Sequence, residues 1–380
     1  TKEILFFFRD PGAFLTCRTG ARKCQGSSTC CVIKGAMRIA SLPGILSFCF
    51  LTLAAGFCTD CRRTETQQTG SDGARVYRVG VASYAPEASA DRLLEGLYAG
   101  LEGEGFIRGR NLDIEHKMAG GEMANIPLML QGLDGQNLDL IITLTTPVLA
   151  SACKAVRNSP VVFSMVTDPI AAGAGTTFSD HLPNVTGVGS LDPVDEGFEI
   201  LFKLQPDLKA VGTLYNPSEA NSVKVISLAR EVARRRHLRL EEVTVNATNE
   251  VLMAAQSLTL KKIDALWVAT DNTAAQAFAA IAMTATKARL PLVANANEQI
   301  QLGALIAVGP SWRQVGEVTA RKAARVLRGE NPKDIPFENF VGATVALNQT
   351  LAKQMGISFP PEVAALDGQS APSPAGSSGL

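Results

Sequence analysis

The stretch DLIITLTTPVLASA, residues 139–152, is a run with no polar face, then two threonines, then a proline opening a helical pattern. A strand apolar on both sides belongs in a parallel sheet covered above and below by helices. Thr is a favoured helix cap and Pro suits the first helical turn, so Thr145, Thr146 and Pro147 mark the passage from strand to helix. This segment therefore reads as half of a βαβ unit.

Working outward, the same rhythm recurs. Apolar strand-like runs lie at 76–82, 138–144, 161–166, 210–215, 264–269 and 304–308. Helical patterns lie at 88–104, 124–134, 147–157, 193–204, 220–236, 250–261 and 272–288. Such alternation predicts an α/β protein of two Rossmann-like lobes with parallel sheets, joined by a hinge. The first lobe is expected over 76–190 and the second over 191–308. A further helix at 311–328 and the strand-like TVALN (344–348) are expected to return to the first lobe, completing it over about 309–361. Residues 362–380, ending in GQSAPSPAGSSGL, are rich in Ser, Gly and Pro and are expected to be a disordered tail.

Composition narrows the class. Lys plus Arg and Asp plus Glu number 36 each, so no net field favours nucleic acid or an anionic membrane. Hydrophobic residues at 46% and charged residues at 19% suit a folded soluble body. The three histidines, His116, His181 and His237, stand far apart, and no metal site is expected. Seven of the eight cysteines fall before residue 62, with spacings that fit no common zinc pattern, and Cys153 stands alone in the body. From Met37, MRIASLPGILSFCFLTLAAGFCTDC (37–61) has one basic residue, an apolar stretch and then small residues. That is the layout of a secretory signal peptide. Residues 1–36 then form an upstream extension with no legible fold, and 62–75 a polar linker. Leu53 to Cys58 also resembles a lipoprotein signal with Cys58 as the lipidated residue, although Phe57 stands where a small residue is usual.

In an open parallel sheet, ligands bind beyond the carboxyl ends of the strands. After the first strand come Ser83, Tyr84 and Glu87, and after the next Thr145 and Thr146. Thr167 and Asp168 follow VVFSMV. Asn216, Glu219 and Asn221 follow VGTLY, and Asp271 and Asn272 follow ALWVAT. Each group alone can be helix capping, with Asn216 and Glu219 spaced as a capping box. Together they lie at matching edges of two lobes and would line one cleft. Threonine hydroxyls and helix N-termini could hold a carboxylate, while Asp168, Glu219 and Asp271 could hold an ammonium. Tyr84, Tyr215 and Trp312 could add aromatic surface. Asp271→Ala is expected to weaken ligand binding with little loss of fold.

Enzyme signatures are missing: no nucleophile elbow, no P-loop, no G-x-G-x-x-G after a strand, and no His placed as a general base. No cofactor is expected. Over about Val76 to Pro361, the segments IITLTTPVLASA, VVFSMVTDPIAAG, VTGVGS, VGTLYNPSEANSV, IDALWVATDNTAAQA and LGALIAVGPSWRQVGEVTARKAARVLRGENPKDIPFE follow one another in order between Ile141 and Glu338. Together they resemble the ABC-transporter substrate-binding proteins of the tryptophan/tyrosine type, with a type I periplasmic-binding fold. That resemblance implies a non-enzymatic, exported monomer that closes on a small amino-acid-like ligand. It implies delivery to ABC permease and ATPase subunits at the outer face of the cytoplasmic membrane. It points to Thr145, Thr146, Thr167, Asp168, Asn216, Glu219, Asn221, Asp271 and Asn272. Relatives often carry an HPALD-like segment after the first strand, where this chain has YAPEASAD, so Tyr84 and Glu87 replace other side chains there. Two rival readings are a ligand-sensing module of a signalling system and an α/β enzyme using Asp168 or Asp271 as acid or base.

Overall fold

Burying both faces of an apolar strand demands helices on either side, and the chain supplies them in turn. Residues 75–370 are described by the structure, a computed structural model. The first half runs β1 (Tyr77–Ser83), α1 (Ala88–Gly103), β2 (Leu112–Met118), α2 (Ile126–Asp134), β3 (Leu140–Leu144), α3 (Thr146–Ala155), β4 (Val161–Val166) and β5 (Val185–Gly189). Next come α4 (Val194–Leu204), β6 (Ala210–Tyr215), α5 (Ala220–Arg235), β7 (Arg239–Thr244), α6 (Val251–Thr259), β8 (Ala265–Trp267), α7 (Asn272–Gln276), α8 (Phe278–Lys287), β9 (Leu292–Ala294) and β10 (Ile306–Gly309). The chain finishes with α9 (Trp312–Leu327), β11 (Glu338–Asn339), β12 (Thr344–Leu347), α10 (Gln349–Met355) and α11 (Pro361–Ala364). The signal-peptide segment 37–61 with Cys58, the extension 1–36 and the linker up to residue 74 lie outside the described residues, as do 371–380.

Two six-stranded sheets result, ordered β11-β5-β4-β3-β1-β2 and β12-β10-β9-β8-β6-β7. Their orders correspond strand for strand, which is the α/β architecture of two similar lobes. All the strand pairings are parallel except β10 with β12. In each sheet the strand order reverses at one place, between β1 and β3 and again between β6 and β8. Helix starts diverge there and leave a crevice. Each sheet has an apolar core on both faces: Leu93, Leu97 and Ile142 on one side of the first and Ile141, Leu149 and Phe163 on the other. In the second, Phe198 and Ile226 lie on one face, Leu258 and Phe278 on the other.

The helix after β10 does return to the first lobe, and glycines set how closely it docks. A Cβ on Gly316 would stand 2.0 Å from the Leu93 carbonyl oxygen, and one on Gly96 would stand 1.9 Å from that of Arg313. Thus α1 and α9 meet backbone to backbone, with Leu93, Leu97 and Val315 fully buried around the contact. Farther along α9, Thr319 is hydrogen-bonded to Ser164 of β4 at 2.8 Å.

The last strands divide between the lobes, which corrects the expectation that 309–361 all complete the first. β11 pairs with β5 in the first sheet, but Thr344–Leu347 pairs with β10 in the second. This closes the open edge of β10 and buries Val345 and Leu347 in the second core. Residues up to 370 also belong to the fold rather than to a disordered tail. Val363 is buried in the second core, and the Gly368 amide donates to Val345 O at 2.9 Å. The helical pattern 272–288 is broken at Ala277, whose backbone (φ −120°, ψ 23°) leaves the helical region between α7 and α8.

Gly316→Ala is expected to force α1 and α9 apart and to lower unfolding stability by about 1–3 kcal/mol or more. Urea denaturation measures it, and an unchanged midpoint would show that the two backbones have room to spare.

Candidate functional site

The carboxyl ends of both sheets face each other across a cleft with about 470 Å³ of empty space, part of it open to solvent. From the first lobe it is lined by Glu87, Ser89, Thr145, Thr146, Met165 and Trp312. From the second it is lined by Asn221, the segment 268–272, Ala275 and, from the loop after β9, Asn295, Ala296 and Gln299. The lobes touch across it. Ser89 Oγ donates to Glu298 Oε2 at 3.4 Å, Gln276 Nε2 to Pro86 O at 3.5 Å, and Lys224 pairs with Asp168 at 3.7 Å.

Of the residues expected from sequence, Glu87, Thr145, Thr146, Asn221, Asp271 and Asn272 reach this lining. The others are not part of the lining and have structural partners. Ser83 Oγ bonds His116 Nε2 at 2.8 Å, and the Tyr84 hydroxyl donates to Gly121 O. Burial, with the Glu219 carboxylate next, pushes the Tyr84 hydroxyl up to about 12, so it keeps its proton as a donor. Thr167 N donates to Thr146 Oγ1 at 3.2 Å. The Asp168 carboxylate caps its own turn, accepting from Ile170 N and Ala171 N at 3.0 and 2.9 Å.

Around β6 the sequence reading of a capping box is corrected. α5 starts at Ala220, and Asn216 Oδ1 instead accepts from Ser218 N at 2.9 Å, an Asx turn. Glu219 is fully buried and reaches across to the first turn of α7. Its Oε1 accepts from Thr273 N (3.0 Å) and Thr273 Oγ1 (2.7 Å). Its Oε2 accepts from Asn272 N (2.9 Å), Asn272 Nδ2 (2.6 Å) and Asn221 Nδ2 (3.2 Å). Asp271 is equally committed, accepting from Ala274 N (2.6 Å), Asn216 N (2.6 Å) and Ser222 Oγ (2.7 Å). Burial, with the Glu219 carboxylate beside it, raises the Asp271 carboxyl above the usual carboxylate range. Asp271 is thus a scaffold residue at the cleft wall, and the expectation of little loss of fold on its removal does not survive these contacts.

Among the unpartnered buried polar atoms of the described residues, four belong to residues that line the cleft. Thr145 Oγ1, Asn221 Oδ1, Gln299 Oε1 and Trp312 Nε1 have no hydrogen-bond partner. Their residues are only 6%, 1%, 6% and 5% exposed. The Asn221 amide is oriented by its own donor: Nδ2 gives to Glu219 and to Thr270 O (2.9 Å), so Oδ1 is left as an acceptor. α3 begins at Thr146 with Pro147 next, so the Thr146 and Val148 amides have no acceptor within the helix. Thr145 and Met165 hold φ of 80° and 59°, strained values for side chains of their kind, at about 1–3 kcal/mol each. Both line the cleft, where such strain is characteristic of binding positions.

Glu87 is the carboxylate among the lining residues that the fold leaves uncommitted. Burial, then the facing Glu298 carboxylate, pushes its carboxyl up to about 7, with the Ser89 hydroxyl opposing the shift. No Lys, Arg or His lines the cleft. Sequence reasoning missed Ser89, Met165, Thr270, Asn295 and Gln299. The last two follow β9, whose three residues after Pro291 give too short an apolar run to register as a strand.

Asp271→Ala is expected to lower stability by about 2–4 kcal/mol, because it strips acceptors from two buried amides and a hydroxyl; thermal unfolding measures it. Glu87→Gln is expected to act in the opposite sense. Its carboxyl ionises near pH 4.5 in the unfolded chain and near 7 in the folded one. The folded state therefore holds the extra proton, and this stabilisation is full below about pH 4.5 and lost as pH rises through about 7. Glu87→Gln should then raise ligand-free stability at pH 8 by about 1–3 kcal/mol and flatten the profile between pH 4.5 and 7. Urea unfolding over a pH series giving the wild-type profile would exclude Glu87 as its source.

Known proteins place this geometry. A tyrosine-binding protein of Clostridioides difficile (strain R20291) is 25% identical over 314 residues, 83% of this chain and 90% of its own. The structure of an ABC domain in complex with L-Trp from Streptococcus pneumonia is 28% identical, with a TM-score of 0.74 over 77% of this chain and 99% of that one. A ligand-free, open substrate-binding protein of Clostridium difficile is 29% identical, with a TM-score of 0.59 over 75% and 97%. The overall similarity is therefore higher to the tryptophan complex than to the open form. The family described as ABC transporter substrate binding protein matches residues 78–370, nearly the whole of the described fold. This chain therefore belongs to the ABC transporter substrate-binding protein family.

Proposed function

We propose that the cleft binds a small amino acid, aromatic ones being the first candidates, and that the protein delivers it to an ABC permease from outside the cytoplasmic membrane. The observation that carries this reading is that four residues of the lining, Thr145, Asn221, Gln299 and Trp312, each hold a buried polar atom without a partner, beside Glu87 and with no basic residue among the described lining. Acceptors predominate, which suits a ligand rich in N–H donors. Glu87 takes the ammonium through a charge-assisted bond, with Asn221 Oδ1 and Gln299 facing it from the other lobe. The free amides at the start of α3 take the carboxylate. Met165, Ala269, Ala275 and Trp312 leave apolar wall for a side chain. The tyrosine-binding relative and the tryptophan-bound neighbour support an aromatic one.

Because both lobes supply contacts, the ligand stabilises the closed arrangement over the open one, and closure becomes the signal the permease reads. Binding without conversion is supported by the carboxylates that an enzyme would need: Asp168 and Asp271 are spent on capping and scaffold bonds. Export rests on the signal-like 37–61 segment and on the family. Anchoring through a lipidated Cys58 and a monomeric state remain part of the same proposal.

L-tyrosine or L-tryptophan is expected to raise the thermal midpoint, and their deaminated acids, lacking the ammonium, to do so far less. Affinity should climb as pH rises through about 7 with release of a proton, since the ammonium binds ionised Glu87. Glu87→Gln should weaken it by roughly tenfold or more. Calorimetry in which the deaminated acids bind as tightly as the amino acids would overturn the assignment of Glu87.

A further inference from the structure

Three segments of chain cross between the lobes: 190–193, 310–311 and 340–343. One short loop of the second lobe, 295–299, bonds the first crossing directly and touches the strand ends that flank the other two, and it also presents Asn295, Ala296 and Gln299 to the cleft. In the first crossing, the buried Asp192 carboxylate accepts from Thr270 N at 3.1 Å, from Thr270 Oγ1, and from Asn295 Nδ2 at 3.3 Å. Asn295 Nδ2 also donates to Thr270 Oγ1, which closes a three-residue cluster in which Thr270 and Asn295 both line the cleft. At the head of the second crossing, a Cβ on Gly309 would stand 2.1 Å from Asn295 O, so the end of β10, from which the crossing departs, lies directly against the loop. At the end of the third, Asn297 Nδ2 donates to Thr344 Oγ1 at 2.6 Å, and Thr344 Oγ1 donates to Gly309 O at 3.4 Å. The neighbouring Glu298 reaches the first lobe through Ser89.

We propose that the loop 295–299 couples the cleft to the hinge, with Asp192 and Asn297 as positioning residues that clamp the crossings to it. Neither of the two lines the cleft, and the proposal rests on the reading of that cleft as the ligand site. A ligand that draws Gln299 and Asn295 inward moves one rigid loop, and the crossings turn with it. Residues touching ligand and residues setting the lobe angle then belong to a single hydrogen-bonded body rather than to separate parts of the fold.

Amide hydrogen exchange on the full chain tests this without any ligand. Asn297→Ala removes the bond to Thr344, the first residue after the third crossing, yet it should speed exchange about tenfold at Thr270 and at 190–192 as well as at 340–344. Asp192→Asn, an isostere that turns one acceptor into a donor, should likewise speed exchange at 309–311 and 340–344. The double variant should be little faster than the faster single one, because both cut the same body. Acceleration confined in each variant to the crossing it touches would overturn the coupling. In a second arm, L-tyrosine or L-tryptophan should slow exchange at all three crossings of the wild type but spare 340–344 in Asn297→Ala. Failure of both amino acids to bind the wild type would remove the ligand reading proposed above, while the ligand-free comparison still decides the coupling.

Discussion

A carboxylate buried without a cation needs donors on every side, and the second lobe is organised around meeting that need at Glu219. Its oxygens collect two backbone amides and three side-chain groups from Asn221, Asn272 and Thr273. Those donors come from the starts of α5 and α7, so the helix after β6 and the helix after β8 are bound to each other at the topological switch point. Asp271 repeats the device from the other side by holding Asn216 and Ser222. With these bonds made, Asn221 has one direction left for its carbonyl oxygen, and that direction is the cleft. The recognition surface is thus what remains after the scaffold has satisfied itself.

The first lobe solves the same problem with backbone strain instead of buried acids. Thr145 and Met165 take left-handed backbone angles at the ends of β3 and β4, and the register of β4 against β5 shifts between Phe163 and Val166. The Thr145 amide is held by Ser164 O at 3.2 Å, which keeps its hydroxyl at the cleft. Strain on one wall and hydrogen-bonded acids on the other both favour a preformed site. Glu87, its carboxyl pushed up by burial and by the facing Glu298 carboxylate, is the lining acid that costs the ligand-free chain stability as pH rises through about 7.

Much of the fold was legible in the sequence, because buried parallel strands announce themselves as unbroken apolar runs, as in LIITL and VVFSMV. The edge strands were not: β2 (LDIEHKM) and β7 (RLEEVT) are half exposed and carry charges on the solvent side, so they read as loop. The rule that ligands sit beyond strand ends located both halves of the cleft. It could not say which acids face inward, since Glu87, Asp168, Glu219 and Asp271 are alike as residue types. Only the donors gathered by tertiary contacts separate Glu219 and Asp271, which are consumed, from Glu87, which is not. Asn295 and Gln299 escaped notice because β9 is too short to show a period.

The backbone contact between α1 and α9 also governs the order in which the chain can become native. Gly96 lies near the beginning of the body and its partner Arg313 well after it, with most of the second lobe between them. The first lobe is synthesised first, yet one wall of its core is absent until α9 has emerged, and its sixth strand comes later still. Contacts of such long sequence separation form slowly. The second lobe's middle strands, by contrast, are contiguous in sequence from β6 to β10. The middle of the second lobe can therefore consolidate early, while the first lobe's core stays open until α9 and β11 have been made. The position of a single helix thus sets when the first lobe can close its core.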